Sequence, residues 1–325
     1  MPFKNLQILT LLLASVVSSA QVTIKNGKTQ DGIPYATVSF GNGQGIFADD
    51  EGVFIFTKKL YPDVDTLFVT SLGYKDVTVP TSELSDTILM DEEVSQLNEV
   101  VLIADNRKFT EETLKPYLDD DYYHCWLPTI ESEIAVIFRN PDTDLKKLST
   151  IHFPITLESK DWKKRKKKNA EKKPFSTLFK VKFYENNNGL PGQVLTYDNI
   201  VFKATEKNGD VHNLDVSAYN ITFPENGFFV SLQVLGYTDT QGKLLPNKKY
   251  KEIKSKNGIV KIPTNFRPLL PFTSEIPEHR TYIKRVFING NNWVQFRKGN
   301  IESGLFSAGL NNYGIGISYK VYNDE

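Results

Sequence analysis

Between Val22 and about Ile103, apolar and polar residues alternate in short runs closed by turn residues. Val22–Lys25 is the first run, and a polar turn ending at Gly32 follows it. In Pro34–Phe40 the side chains of Ala36, Val38 and Phe40 face one way. Gly41, Gly43 and Gly45 punctuate the next turn. Asp49-Asp50-Glu51-Gly52 makes another turn, and Val53–Phe56 leaves it as a strand. Thr66–Thr70, Lys75–Val79, Thr87–Met90 and Val100–Ile103 complete the set. A two-residue period broken at this spacing, without an amphipathic helix, predicts a small β-sandwich of seven or eight strands.

The texture changes at Asp105. Asn106–Leu118 predicts one short helix near the junction, with Phe109, Leu114 and Leu118 as its apolar points and Pro116 limiting it. Strands then return over Ser132–Arg139, Lys147–Ile155, Leu178–Glu185, Asn199–Lys203, Tyr219–Phe223, Gly227–Leu235, Gly258–Ile262 and Tyr282–Ile288. Leu305–Leu310 and Gly314–Tyr322 read as a hairpin around Asn311-Asn312-Tyr313. Within Gly227–Leu235, Phe228, Val230, Leu232 and Val234 share one face. Phe229, Ser231, Gln233 and Leu235 share the other, so the first face is the expected core. The expected fold class is all-β: residues 21–104 form the small sandwich, 105–130 a linker with the short helix, and 131–325 a larger sandwich.

Residues 1–20 stand apart. Lys4 is the only charge before Lys25, Leu6–Val17 is largely apolar, and Ser18-Ser19-Ala20 supplies small residues. That order predicts a secretory signal cleaved between Ala20 and Gln21. Its apolar core is shorter than the roughly 20 residues a bilayer span needs. No cysteine stands directly after the cleavage site, so a lipid anchor is not expected, and no later window of 18 consecutive apolar residues exists, so no transmembrane span is expected in the mature chain.

Three motifs carry a resemblance. Gly32-Ile33-Pro34-Tyr35-Ala36-Thr37-Val38, then Asp49-Asp50-Glu51-Gly52-Val53-Phe54, then Leu72-Gly73-Tyr74, resemble the carboxypeptidase-like regulatory domain. The resemblance implies a transthyretin-like sandwich, a periplasmic or outer-membrane-associated location in a Gram-negative bacterium, and no peptidase chemistry. Leu97-Asn98-Glu99-Val100-Val101-Leu102 resembles the segment joining that domain to the plug of TonB-dependent transporters. A 22-stranded barrel at about 10 residues per strand needs about 220 residues before any plug or turn. Only residues 106–325 remain, so a complete transporter is not expected. Phe179–Tyr184, Gly189-Leu190-Pro191-Gly192, Asp215–Ile221 and the Phe228 strand resemble a sandwich of jelly-roll type.

Charge adds one local feature. The chain has 39 basic and 39 acidic side chains, so its overall balance points to neither nucleic acid nor an anionic membrane. Locally, Lys163, Lys164, Arg165, Lys166, Lys167 and Lys168, followed by Lys172 and Lys173, are opposed by Glu171 alone. They predict a solvated loop and are candidate ligands for a polyanion such as lipopolysaccharide.

The chemistry-bearing residues are sparse. Cys125 is the sole cysteine and cannot form an internal disulfide; Tyr123 and Trp126 beside it suggest burial. Asp49, Asp50 and Glu51 carry oxygens that suit calcium, yet three adjacent acids cannot all point at one ion, and a turn explains them. Asp119–Trp126 reads as a polar turn running into an aromatic strand, because no metal-ligand spacing is completed nearby. GxSxG, HExxH and the P-loop are absent, and His124, His152, His212 and His279 are scattered. No catalytic residue, cofactor or metal is expected. The expected function is a non-catalytic binding or structural module of the envelope, with envelope proteins or polysaccharide as partners. A carbohydrate-binding protein using Trp162 or Trp293 is the alternative. A hydrolase with an unrecognised carboxylate pair is the second.

Overall fold

The computed structural model describes residues 21–41, 43–93, 107–119, 121–140, 142–157, 159–161, 171–246, 251–255, 258–262, 268–288, 290 and 292–322. The fold is an all-β sandwich protein. Its described helical segments are 3-10 turns of three to five residues.

The first unit contains β1 (Gln21–Asn26), β2 (Thr37–Ser39), β3 (Gly45–Phe47), β4 (Val53–Ile55), β5 (Thr66–Thr70), β6 (Val77–Pro80) and β7 (Thr87–Met90). One sheet has the order β4-β1-β7 and the other β3-β2-β5-β6. The alternation read from the sequence places Val22, Ile24, Ala36, Val38, Phe54, Leu67, Val69 and Ile88 between them. The Asp49–Gly52 turn works as its residues dictate. Asp49 Oδ1 accepts the Glu51 and Val53 backbone N–H groups at 3.0 and 2.8 Å. Gly52 has φ +80°, and a Cβ there would lie 2.7 Å from the Ile24 carbonyl oxygen.

The second unit runs through β8 (Phe109–Leu114), β9 (Cys125–Trp126), β10 (Ser132–Phe138), β11 (Leu145–Pro154), β12 (Ser176–Asn187), β13 (Leu190–Val194) and β14 (Ile200–Thr205). It continues through β15 (Val211–Asp215), β16 (Phe228–Tyr237), β17 (Lys251–Ser255), β18 (Gly258–Ile262), β19 (Leu270–Thr273), β20 (Thr281–Arg285), β21 (Val294–Gln295), β22 (Asn312–Tyr313) and β23 (Gly316–Tyr322). A seven-stranded sheet carries the path β13-β12-β16-β10-β20-β21, with β14 also on β12. A four-stranded sheet has the order β15-β11-β23-β8. Phe228, Val230, Leu232 and Val234 join the main core, with Ile151, Phe153 and Ile317 from the four-stranded sheet.

The structure corrects several expectations. Asn106–Leu118 does not give a helix: Phe109–Leu114 is a strand, paired antiparallel with β23 from Leu114↔Ile317 to Phe109↔Tyr322. All six of its residues are exposed, so its own side chains gave no alternation to read. The linker expected over 105–130 therefore contributes β8, and also β9, which pairs with β19. Leu305–Leu310 is not a strand but part of a 3-10 turn over Gly304–Ala308. Ser303 Oγ caps the Leu305 N–H, and Gly309 closes the turn at φ +71°. Tyr219–Phe223 is likewise not a strand; its start ends a 3-10 turn over Ser217–Tyr219, and Thr222 makes a lone bridge to Lys147. Cys125 is only partly buried, and Tyr123 is 65% exposed.

The units meet at a defined seam. The Phe287 carbonyl accepts from Ser39 Oγ at 2.7 Å and from the Gly43 N–H at 3.1 Å. Within β3, Ile46 packs in the first core while Phe47 packs in the second.

Candidate functional site

A cavity of about 500 Å³ opens beside that seam. Its floor comes from β3 and β4, which are the edge strands of the two sheets of the first unit. Ile46, Phe47, Val53, Phe54 and Ile55 contribute there, and Lys243–Pro246 of the second unit forms the opposite wall. Gln21, at the start of β1, also lines it.

Local structure fixes both walls. Thr57 begins a turn in which its carbonyl accepts the Leu60 and Tyr61 N–H groups at 3.0 and 2.9 Å. Tyr61 then stacks on Phe56, with ring centroids 5.5 Å apart, and Leu60 projects to the rim, 43% exposed. Across the cleft, Asp239 Oδ1 accepts the Gln241 and Lys243 N–H groups, both at 2.9 Å. Leu245 N–H donates to the Tyr237 carbonyl at 2.8 Å, anchoring the far end of that loop. Leu245 is itself 43% exposed, so apolar surface faces solvent from both sides.

One end of the cleft is charged. Lys243 Nζ lies 3.7 Å from Asp49 Oδ2 and 4.0 Å from Glu51 Oε2. Two carboxylates against one ammonium leave this end net negative. The described lining carries no His, Cys, Ser or Thr, and Asp49 is already committed to its own turn. Such a lining is complementary to apolar groups beside a cation.

Three polar constellations lie elsewhere. On the seven-stranded sheet Glu133 is buried and accepts from Lys182 Nζ at 2.9 Å, Tyr184 Oη at 2.8 Å and Ser231 Oγ at 2.6 Å. Burial raises its carboxyl, but the Lys182 ammonium and the three donors outweigh burial and hold the pKa below the ordinary value. Next to it Lys180 is 3% exposed, and its register partner Gln233 has an unpaired buried Nε2.

On the four-stranded sheet His152 Nδ1 lies 2.7 Å from Asn213 Oδ1, and Nε2 lies 2.8 Å from Ser318 Oγ. With Nδ1–H donating to Asn213, Nε2 accepts the Ser318 hydroxyl proton, the connectivity of a nucleophile, a base and an orienting group. Ser318 is in mid-strand between β11 and β8, so the backbone N–H groups beside it serve ladders and form no oxyanion hole. Thr113 Oγ1 is also 2.8 Å from Ser318 Oγ. The third constellation joins Asp119 to His124 Nδ1 at 2.6 Å and to the Tyr117 hydroxyl at 3.1 Å. Burial and then Asp119 push Tyr117 up to about 12.

Of the residues singled out by sequence, Ala20, Lys163, Lys164, Arg165, Lys166, Lys167, Lys168 and Trp162 lie outside the described residues. Gln21 begins β1. Lys172 bridges Ser159 in antiparallel fashion, and Lys160 N–H donates to the Glu171 carbonyl at 2.9 Å, so the flanks of the basic run form a stem. Trp293 is half-buried, edge-on to Tyr184 with centroids 5.6 Å apart. Sequence reading missed the cleft, since β3 looked like glycine punctuation and Lys243–Pro246 like an ordinary loop. Among the described residues no group of three His, Cys, Asp or Glu side chains is placed to hold a metal ion. No described helix is long and apolar enough to cross a membrane.

No protein-family description matches the chain, and no curated protein sequence does. Among solved structures it is similar to the cysteine protease and lectin-like domains of Cwp84, a surface layer associated protein of Clostridium difficile. The identity is 12% and the TM-score 0.29, over 59% of this chain and 32% of that one.

Proposed function

We propose that this protein is a non-catalytic binding module of a bacterial cell envelope, exported by its N-terminal leader, and that the cleft between its units holds its ligand. The observation that carries the reading is the cleft itself: about 500 Å³, apolar on both walls, charged at one end, and built from edge strands and hydrogen-bonded turns of two units. Pockets of this size with few polar groups are the usual form of a ligand site. The first unit is read as a carboxypeptidase-like regulatory domain. Its two-sheet sandwich and its Asp49–Gly52 turn support that reading. Export is supported by the sequence of the leader, in which Lys4, the apolar run Leu6–Val17 and Ser18-Ser19-Ala20 follow in order.

The neutral dye Nile red tests the cleft. Its emission should shift to the blue with the parent protein and not with a Leu60→Asp, Leu245→Asp double variant, whose changes are at exposed positions. An unchanged signal in that variant rules the cleft out. Mass spectrometry of the protein from envelope fractions should find Gln21 at the N-terminus, and an intact Met1 there refutes export by this route.

A further inference from the structure

We propose that the occupant of the cleft is an extended polypeptide segment bonded to the open edges of β3 and β4, with a cationic group at the Asp49–Glu51 end. This rests on the cleft being the binding site.

Ladder geometry decides which backbone groups of an edge strand point outward. In an antiparallel pair, opposite residues alternate between exchanging backbone hydrogen bonds and pointing those groups away. Ile24 N–H donates to the Gly52 carbonyl at 2.8 Å, and the register pairs Val22 with Phe54. The bonded pairs of β1 and β4 are thus Ile24 with Gly52 and Val22 with Phe54. Val53 and Ile55 turn their N–H and C=O groups outward. Val53 uses them locally: its N–H donates to Asp49 Oδ1, and its carbonyl accepts the Asp49 N–H at 2.8 Å. The outward groups of Ile55 have no partner among the described residues.

The same alternation holds in β3. Ala48 N–H donates to the Ala36 carbonyl at 2.9 Å and Phe40 N–H to the Gln44 carbonyl at 2.8 Å. By the two-residue period Val38 bonds Ile46, so Phe47 turns its N–H and C=O outward. They too lack a partner among the described residues. Ile55 and Phe47 both line the cleft.

The cleft therefore offers two backbone donor–acceptor pairs beside apolar side chains. A polypeptide supplies a complementary acceptor and donor at strand spacing, whereas an acyl chain supplies neither. Its alternate side chains would meet the apolar walls at Ile55, Leu60 and Leu245. The net negative end beside Asp49 and Glu51 complements a lysine, an arginine or a free amine.

The test uses the full chain and the peptide acetyl-Lys-Val-Thr-Val-Thr-Val-amide. The peptide should displace Nile red and slow hydrogen exchange at the Ile55 and Phe47 amides by about tenfold or more. The same peptide N-methylated at alternate amides should do neither. Replacing its Lys by Glu should weaken binding about fivefold, and Glu51→Lys, at an exposed position, should reverse that preference. If Nile red binds but the peptide neither displaces it nor protects these amides, the occupant is not a peptide while the cleft stands. If neither binds, the cleft reading falls as well. Equal binding of the N-methylated peptide overturns the edge pairing.

Discussion

Phe47 of the first unit and Phe287 of the second bring their rings to 5.1 Å between centroids at an interplanar angle of 38°. Phe287 is fully buried, and a Cβ on Gly45 would lie 2.3 Å from its ring. This contact adds a buried ring pair to the seam that Ser39 Oγ and the Phe287 carbonyl also join. Phe287→Ala is expected to cost about 3–5 kcal/mol, as other large-to-small changes in cores do. It should also split one thermal transition into two, because the seam loses its buried ring. Differential scanning calorimetry checks this; a single transition at the parent temperature contradicts it.

Lys180 should make stability rise with pH above neutrality. Burial, and then Lys182, pull its ammonium down to about 7 from 10.5, with Glu133 acting in the opposite direction. Between those values the unfolded chain binds more protons than the folded one, so stability increases with pH there. Below about 7 both states are protonated and the full burial cost remains. Lys180→Met is therefore expected to be more stable than the parent, by roughly 4 kcal/mol at about pH 6, and to lose the rise between 7 and 10. Urea midpoints across that range decide the matter, and a variant that gains nothing at the acid end contradicts the assignment.

Glu133 has the opposite sign. Its folded-state pKa is lowered, so its contribution is present above the ordinary value of 4.5 and is lost as pH falls through the folded value. Glu133→Ala leaves the Lys182 ammonium and the Tyr184 hydroxyl without their acceptor and should cost about 3–5 kcal/mol. Glu133→Gln keeps an acceptor, so it should cost less and flatten the acid limb of the stability curve. An alanine variant as stable as the parent shows that the network contributes nothing.

Ser318 is expected to resist acylation. A fluorophosphonate probe should leave it unlabelled, since no donor pair awaits a developing oxyanion. Ser318→Ala should cost only about 1 kcal/mol for its lost hydrogen bonds. Labelling of Ser318 would overturn the non-catalytic reading of the protein.

The basic run is expected to attract polyanions. Changing Lys163, Lys164, Arg165, Lys166, Lys167, Lys168, Lys172 and Lys173 to Ser should weaken binding to lipopolysaccharide at low salt and leave the unfolding temperature unchanged. Like charges at this density repel one another and act on a polyanion through a screened field. Equal binding with equal salt dependence removes the run from recognition.

Much of the fold could be read where a strand carries its own pattern. The alternation in Phe228–Val234 named the face that the main core buries. It could not show that the other face is buried too, because Ser231 and Gln233 are covered in the company of Glu133 and Lys182 from neighbouring strands. Phe109–Leu114 shows the limit more sharply. Its six exposed residues carry no periodicity, and only pairing with distant β23 makes them a strand. The cleft was illegible for a related reason. Part of its floor comes from β3, a strand of three residues whose glycine signals a turn, and whose strand character comes from Thr37–Ser39 across the register.

The pairing of β8 with β23 also has a consequence in time. Tyr319 donates to Glu112 across 207 positions of sequence. A ribosome delivers β8 well before it delivers that neighbour. Until Gly316–Tyr322 emerges, the nascent chain holds a strand with no sheet to join, and the four-stranded layer stays open along β11. Closure of this layer thus waits on β23, and a copy cut short before it would expose the edge most prone to pairing with a stranger.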